Sequence, residues 1–405
     1  MRQYEIFELK WKAGEPKQDW INVGLEAVFN KDGKQMSVKG FYAGNGEYRL
    51  RFMPLEEGKY ECTVTGCLPA EGCEKNRTEF VEHYAFTAEA AADEKHGPVR
   101  TKETRFMYAD GTHYLPFGTT VYALLHQGRK LLEETMKTLE RAPFNKVRLC
   151  LFPKYFDFNR NEPEQFAFEK EGEEWNTKKP CMAYWEFLDE TITRLESLEI
   201  QADLILFHPY DKWGFAALDK QQRLDYLEYV CRRLSAHPNI WWSLANEYDQ
   251  LDNISKEEWL EMSAFLAQND LNRHLISNHN FVTPWDFSDL NTTHVCLQES
   301  DTAKIPGLLK KYGKPVLYDE MGYEGNIPYS WGNLSAFEMV NRFWKAVTLG
   351  GFATHGETYM EKMDDSQVLW WSKGGTLKGK SAKRIAFLKE LLCEMPGDMV
   401  LFKKE

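Results

Sequence analysis

The 405-residue sequence has no apolar run long enough to cross a membrane and no apolar segment near its start. A membrane-spanning helix needs about 18 or more consecutive apolar residues, and a secretory signal needs an apolar core behind a basic start. The opening residues, Met1 to Glu8, provide neither feature. We therefore expect a cytoplasmic protein with no membrane partner, whose substrate must be small enough to be imported.

Signatures of metal binding, redox chemistry and nucleic-acid binding are also missing. The eight cysteines include no Cys-x-x-Cys pair, and no set of ligands has the spacing of a zinc or magnesium site. Lysine and arginine are dispersed and the formal net charge is -12, which disfavours a nucleic-acid footprint. We expect no metal, no other cofactor and no nucleic-acid partner, and we leave open whether the chain forms a homo-oligomer.

Two short segments carry the strongest positive signal. Residues 238–247 are an apolar run that ends in Asn246 and Glu247, and residues 314–320 are a second run that ends in Glu320. Buried strands of a parallel barrel read as continuous apolar runs, and function lies where these strands end. Cleavage of a glycosidic bond needs one carboxyl group to protonate the leaving oxygen and another to attack or to activate water. The two segments therefore predict a glycoside hydrolase.

The chain divides into a β-rich part and an α/β part. Residues 1–93 contain several short alternating strands with turn signals such as Asn45-Gly46, which predicts a small β-sandwich. Residues 98–405 alternate strands with helical stretches, which predicts a (β/α)8 TIM barrel of the α/β class. The eight candidate strands are residues 114–118, 146–152, 201–207, 240–244, 274–277, 294–297, 315–318 and 350–354. Helical spacing is found in residues 224–235, 258–267 and 382–392.

The two glutamates belong to the fourth and seventh of these strands. Strands four and seven lie across the mouth of an eight-stranded barrel, so Glu247 and Glu320 can face each other across a bound sugar. A separation of about 5 Å predicts a retaining, covalent mechanism, and a larger gap predicts an inverting one. Further polar or aromatic side chains predicted at the same rim are candidates for binding the sugar. They are His208 after strand three, His279 after strand five, and Glu357 and Trp371 after strand eight.

Two other classes of protein remain open. A metal-dependent barrel hydrolase could use His208, His279, His355 and Asp211, but that class typically carries a His-x-His on strand one, and this sequence has none. A barrel that binds carbohydrate without catalysis would be favoured if one of the two carboxylates were missing or blocked, and both are present.

The segment Trp242-x-x-x-Asn246-Glu247 on strand four, together with Glu320 at the end of strand seven, resembles the clan-A retaining glycosidases. In that clan the first glutamate is the acid/base, the preceding asparagine binds the sugar 2-hydroxyl and the second glutamate is the nucleophile. The resemblance assigns these roles to Glu247, Asn246 and Glu320. An arginine on strand two of such barrels keeps the nucleophile ionised, a role that falls here to Arg148.

A small immunoglobulin-like sandwich before such a barrel is similar to the apiosidase-like family of bacterial hydrolases. Residues 107–118, 144–148 and 375–379 carry the resemblance at the entry and the end of the barrel. The resemblance implies a furanose-containing glycoside, such as one of apiose or arabinose, while β-glucosides, β-mannosides and β-galactosides remain open. A cleft walled at one end and a cytoplasmic location favour exo-action on a terminal sugar or a small glycoside. The N-terminal sandwich is expected to prop the barrel or to wall off one end of the cleft.

Overall fold

The computed structural model describes residues 1–70, 73–360 and 369–395, without the side chains of residues 73–76. The N-terminal part consists of two antiparallel sheets. Its strands are β1 (Phe7–Lys12), β2 (Gly24–Lys31), β3 (Lys34–Lys39), β4 (Phe41–Gly44), β5 (Glu47–Phe52), β6 (Gly58–Ala70) and β7 (Cys73–Ala88). One sheet has the order β1-β5-β4 and the other has the order β3-β2-β6-β7. Alternate residues face inward, and the rings of Phe29 and Phe52 stack at 3.9 Å between the sheets. The predicted sandwich is confirmed.

A small antiparallel sheet precedes the barrel. Its strands are β8 (Val99–Lys102), β9 (Arg105–Tyr108) and β10 (His113–Tyr114). Its side chains Phe106 and Tyr114 pack against Trp241 and close the N-terminal end of the barrel. The predicted first barrel strand at residues 114–118 is therefore placed too early, because Tyr114 belongs to this sheet and the barrel begins at Phe117.

The rest of the chain alternates strands and helices. The further strands are β11 (Phe117–Thr120), β12 (Lys146–Cys150), β13 (Phe168–Glu171), β14 (Glu174–Pro180), β15 (Gln201–Phe207), β16 (Ile240–Ala245), β17 (Ile276–Ser277), β18 (Val295–Gln298), β19 (Val316–Glu320), β20 (Glu324–Gly325), β21 (Phe352–His355) and β22 (Glu357–Thr358). The helices are α1 (Gly128–Leu139), α2 (Met182–Ser197), α3 (Lys220–Leu234), α4 (Lys256–Asn269), α5 (Ile305–Tyr312), α6 (Ala336–Thr348), α7 (Trp370–Lys373) and α8 (Ser381–Glu394).

Eight of these strands form one parallel sheet in the order β17-β16-β15-β12-β11-β21-β19-β18. The two end strands approach each other, since Thr293 donates from its backbone nitrogen to Ile276 O at 2.8 Å and Ser277 Oγ donates to His294 O at 2.8 Å. This near-closed sheet with its surrounding helices confirms the predicted TIM barrel. The fourth and seventh strands are β16 and β19.

Buried charges fill the inside of the barrel below the ends of the strands. The ammonium of Lys146 lies 2.7 Å from Asp203 Oδ2 and 2.8 Å from Asp319 Oδ1, and its side chain is fully buried. Arg148, also fully buried, lies 3.8 Å from Asp319 through its Nε. Burial alone would raise the pKa of Asp319, but Lys146 and Arg148 lower it below its usual range. We call this set of paired charges, formed by Lys146, Arg148, Asp203 and Asp319, the barrel floor.

The N-terminal domain packs against the outer faces of α2 and α3. Arg51 forms an ion pair with Asp189 of α2 at 3.0 Å, and Tyr229 of α3 donates its hydroxyl to the backbone oxygen of Tyr42 at 2.9 Å. The N-terminal domain therefore contacts the barrel through these two helices. Among the described residues, no helix combines the length and the apolar character that crossing a membrane requires.

We expect Lys146→Met to lower the free energy of unfolding by about 3 kcal/mol or more, because it leaves Asp203 and Asp319 buried without their shared cation. Urea denaturation at pH 7 measures the change. Arg129→Met is the control, because Arg129 pairs with Glu190 on the surface with side chains 69% and 58% exposed. Equal stability of the two variants would show that the buried network contributes nothing beyond a surface pair.

Candidate active site

Glu247 lies just beyond the C-terminal end of β16, in a strained backbone conformation. Its φ of 57° is left-handed, which is uncommon for a residue other than glycine. Such conformations persist where the surrounding structure fixes them, and they cluster at active sites. The residue is 5% exposed, so its carboxyl group faces the protein interior at the mouth of the barrel.

Hydrogen bonds and burial set the protonation of Glu247. Its Oε2 accepts hydrogen bonds from the hydroxyl of Tyr210 and from Gln250 Nε2, the latter at 2.6 Å. Burial, together with the charge of the neighbouring Glu320, raises the pKa of Glu247 to about 7. A carboxyl group with this pKa holds its proton in a large fraction of molecules at neutral pH. It can therefore act as a general acid.

Glu320 is the last residue of β19 and receives donors on both oxygens. Its Oε1 accepts hydrogen bonds from the hydroxyl of Tyr122 and from Arg148 Nη1, which is 3.3 Å away. His279 Nε2 lies 4.0 Å from the same oxygen. A guanidinium and a hydroxyl thus hold one oxygen of this carboxyl group in place. The environment of Glu320 thus differs from that of Glu247, which bonds only to neutral groups.

Gln298, the last residue of β18, joins the two glutamates. When its amide nitrogen faces them, it donates to Glu247 Oε1 at 3.1 Å and to Glu320 Oε2 at 3.1 Å. Because both oxygens lie 3.1 Å from one nitrogen, they are no more than twice that distance apart. The structure thus brings together the two carboxylates that the sequence placed on strands four and seven.

Asn246 and Arg148 lie beside this pair, as predicted. Asn246 Oδ1 accepts a hydrogen bond from Arg148 Nη1 at 3.0 Å and lies 2.9 Å from the Tyr122 hydroxyl oxygen. Its Nδ2 is buried and has no partner among the described residues. Because the amide oxygen is occupied, the free amide nitrogen is oriented to donate to a bound molecule.

Three further predicted residues lie around the same cluster. Both ring nitrogens of His279 are buried without a hydrogen-bond partner in the described part of the chain, although Glu320 is close. The Trp371 ring lies 5.7 Å from the ring of Tyr122, edge to face. His208 is buried and donates from Nε2 to the backbone oxygen of Phe152 at 3.1 Å. His279 thus lies beside Glu320, Trp371 packs on Tyr122, and His208 is engaged with the backbone.

Glu357 is not brought to the pair. Its oxygens accept hydrogen bonds from the backbone nitrogens of Lys378 at 2.5 Å and Gly379 at 2.8 Å. Its neighbours are Glu324 and His355, and the ligand atoms of these three residues lie within 4.8 Å of one another. The oxygens of Glu324 likewise accept backbone N–H groups at the start of α8. This second carboxylate cluster therefore anchors the N-terminus of α8, and nothing in the geometry gives Glu357 a sugar-binding contact.

Two neighbouring carboxylates are engaged elsewhere. Asp319 Oδ1 accepts from Lys146 and from Thr354 Oγ1, and its Oδ2 accepts from Cys296 Sγ at 3.0 Å. Glu299, one residue past β18, accepts from Lys304 and caps the following turn. The oxygens of Asp319 are committed to the buried ion pairs and those of Glu299 to the turn after β18, whereas Glu320 shares the amide of Gln298 with Glu247. The predicted pair Glu247 and Glu320 is the better placed one.

The histidines of the metal-dependent alternative are not gathered in the structure. Among residues 1–70, 73–360 and 369–395, the one group with metal-ligand spacing is Glu324, His355 and Glu357. Neither His208 nor His279 belongs to it. Asp211 accepts three backbone N–H groups of its own loop, including that of Trp213 at 2.8 Å.

Sequence analysis missed four side chains that complete the cluster. They are Tyr122, Lys154, Tyr210 and Gln298. All four lie at or just after the C-terminal end of a barrel strand, which is the signal that could have found them. Tyr122 was hidden because the first strand was placed too early.

A cavity of about 720 Å³ lies at the other end of the barrel. Its lining includes Phe106, Tyr114, Phe352 and Leu392, and it is mainly apolar. It contains neither Glu247 nor Glu320. Chemistry in TIM barrels takes place at the C-terminal ends of the strands, so we place the site at the glutamates and not in this cavity.

Comparisons with known proteins agree with the geometry. A family model described as "Apiosidase-like, catalytic domain" matches residues 101–397, and a domain of unknown function, DUF5060, matches residues 1–65. A crystal structure of a candidate glycoside hydrolase from Bacteroides vulgatus ATCC 8482 shares 36% sequence identity, with a TM-score of 0.89. The match covers 98% of this chain and 78% of that chain. No protein of curated function matches the chain in sequence.

More distant structures share the barrel fold. A family 5 glycoside hydrolase from Bacteroides vulgatus has 15% identity and a TM-score of 0.56, over 74% of this chain and 72% of that chain. A family 5 mannosidase from Rhizomucor miehei has 12% identity and a TM-score of 0.51, over 75% of this chain and 99% of that chain. At these identities the likeness extends to the fold alone.

The raised pKa of Glu247 predicts how Glu247→Gln changes stability with pH. In the folded protein the group keeps its proton up to about pH 7, whereas the unfolded value is near 4.5. The contribution of protonated Glu247 to the free energy of unfolding is therefore complete below about pH 4.5 and is lost as the pH rises through about 7. Glutamine mimics the protonated form. As the pH rises from 5 to 8, we therefore expect the free energy of unfolding of the variant to rise by about 2 kcal/mol relative to that of the wild type. Urea unfolding of both proteins at pH 5 and at pH 8 measures this gain. A difference in free energy of unfolding that is the same at both pH values would contradict the prediction.

Proposed function

The chain belongs to the apiosidase-like family of glycoside hydrolases, and from this premise we propose that it cleaves a small glycoside with retention of anomeric configuration. Glu320 is the nucleophile and Glu247 is the acid/base. Glu320 attacks the anomeric carbon while Glu247 passes its proton to the leaving oxygen. Water, deprotonated by Glu247, then releases the sugar from Glu320.

The spacing of the two glutamates carries the proposal. One oxygen of each glutamate lies 3.1 Å from the amide nitrogen of Gln298, so these two oxygens are at most 6.2 Å apart, twice 3.1 Å. This upper limit is below the roughly 6.5–9.5 Å of inverting enzymes and agrees with the roughly 5–5.5 Å at which a carboxylate attacks directly. The retaining mechanism is the one that this spacing favours.

The two environments support the division of roles. Glu320 has the guanidinium of Arg148 at 3.3 Å, which holds the carboxyl group in a fixed position for attack. Glu247 has a pKa raised to about 7 by burial and by Glu320, which favours a proton donor. The rate should therefore fall above about pH 7, as Glu247 loses its proton, and also at low pH, when the nucleophile gains one.

The surroundings suggest how the sugar is held. Asn246 Nδ2 and the ring nitrogens of His279 are unpartnered in the described part of the chain, so they can bind sugar hydroxyls beside Glu320. Trp371 presents a ring at the edge of the pair. We propose exo-action on a terminal furanose such as apiose or arabinose, which follows the family name. A panel of aryl glycosides incubated with the purified protein identifies the sugar.

We expect Glu320→Gln to lower kcat by about 10⁴-fold or more on every substrate, because no other carboxylate among the described residues shares Gln298 with Glu247. Glu247→Gln should slow hydrolysis most for poor leaving groups, since activated aryl groups need little protonation. Steady-state kinetics on one activated and one unactivated glycoside separate the two effects. Glu299→Gln is the control and should keep kcat near the wild-type value. If Glu320→Gln stayed near wild type while Glu299→Gln was inactive, the nucleophile would be Glu299.

We expect the first product to have the anomeric configuration of the substrate. Two displacements at one carbon restore the configuration that a single displacement would invert. Proton NMR during the first minutes of hydrolysis of a short oligosaccharide, before mutarotation, measures the anomer and the product length. Inverted product would rule out the covalent mechanism, and internal cleavage of a long polysaccharide would rule out exo-action.

A further inference from the structure

Lys154 is a buried cation that contacts the candidate site through aromatic rings. It lies four residues after the end of β12 and is 5% exposed. Its ammonium is 3.5 Å from the ring centroid of Tyr122 and 4.2 Å from that of Tyr210. Trp371 and Phe156 complete the cage, at 5.5 Å and 5.9 Å. The described part of the chain gives Lys154 no carboxylate within ion-pair distance, so its charge is held by these rings.

The two nearest rings are those whose hydroxyls hold the glutamates. The Tyr122 hydroxyl donates to Glu320 Oε1, and the Tyr210 hydroxyl donates to Glu247 Oε2. One ammonium thus contacts both of the phenols that orient the carboxylate pair. A cation over the face of a phenol also draws electron density from the ring, which strengthens the hydroxyl as a hydrogen-bond donor.

The charge of Lys154 also acts on the glutamates directly. The lysine lowers the pKa of Glu247, against burial and against Glu320, which raise it. Burial lowers the pKa of Lys154 itself. The other titratable or charged groups that interact with Lys154 or Glu247 are Arg148, Cys150, His208, Tyr210 and His279.

The proposed reaction moves one negative charge between the two glutamates. In the free enzyme the charge is on Glu320, and Glu247 carries the proton. When Glu320 bonds to the anomeric carbon, the glycosidic bond breaks and the proton of Glu247 goes to the leaving oxygen, so the charge is then on Glu247. The pair keeps a total charge of minus one throughout. A cation held near both glutamates therefore stabilises the negative charge whether it lies on Glu320 or on Glu247.

We propose, building on the hydrolytic function above, that Lys154 is a positioning residue for both glutamates. Held between Tyr122 and Tyr210, it fixes the hydroxyls that bind Glu320 and Glu247 and supplies the positive charge that balances whichever glutamate is ionised. It acts through these phenols and through the electrostatic effect of its positive charge.

The kinetic test compares Lys154→Met with Lys154→Arg on the best aryl glycoside. We expect the methionine variant to lose about tenfold or more in kcat with KM nearly unchanged. The alkaline limb of its pH–rate profile should move to higher pH by about half a unit or more, because Glu247 loses a neighbouring positive charge. Arginine keeps the charge over the rings, so the alkaline limb of the pH–rate profile of Lys154→Arg should lie where that of the wild type lies. Lys170→Met is the matched control, because Lys170 is an exposed lysine over the Trp175 ring at 4.8 Å. Lys154→Gln is the second neutral variant if Lys154→Met does not fold.

A second measurement does not depend on turnover. Carbon-13 NMR of protein labelled at the glutamate carboxyls, with Glu247→Gln for assignment, gives the titration of Glu247 in each variant. An upward shift in Lys154→Met and Lys154→Gln, absent in Lys154→Arg and Lys170→Met, supports the role of Lys154 even if no glycoside is cleaved. An unchanged titration in a folded neutral variant overturns it, whether or not the enzyme is a retaining hydrolase.

Discussion

The ion pairs buried inside the barrel are the constraint on which the candidate site depends. Lys146 joins Asp203 to Asp319 at 2.7 and 2.8 Å, and Arg148 lies against the same two carboxylates. Arg148 then reaches upward from this floor to Glu320 and Asn246. Charges buried in this way need partners of opposite charge in fixed positions. The floor therefore fixes the guanidinium, and the guanidinium fixes the groups that would meet the sugar.

Above this floor, two chemically identical side chains acquire different properties from their surroundings. Glu320 meets a guanidinium, whereas Glu247 meets hydroxyl and amide donors and has its pKa raised to about 7. Gln298 keeps the two at a fixed separation. The strained φ of 57° at Glu247 indicates that the structure holds this residue against its local preference. Separate environments for two carboxyl groups are the arrangement by which one fold supplies an acid and a nucleophile together.

The sequence predicted the barrel and the two glutamates because both depend on local patterns. An apolar run that ends in a carboxylate is visible in residues 238–247 and 314–320 without knowledge of the neighbours. The first strand was misplaced because residues 114–118 read as one apolar segment, and only pairing divides them between two sheets. The partners of Glu357 could not be read from the sequence, because they are backbone N–H groups some 20 residues further along the chain. Lys154 and Tyr210 escaped notice because their contacts join loops of different strands, which no local pattern records.

The central claim is that Glu320 forms a covalent bond to the sugar. A 2-deoxy-2-fluoro glycoside of the preferred sugar, with an activated leaving group, forms that bond but releases it slowly, because the fluorine destabilises the transition state of the second step. Mass spectrometry of the intact protein and of its peptides after this treatment tests the claim most directly. The account predicts one added sugar on the peptide that contains Glu320, and none on the Glu320→Gln variant. A label on Glu299 or Asp319, or steady turnover with no label, would contradict it.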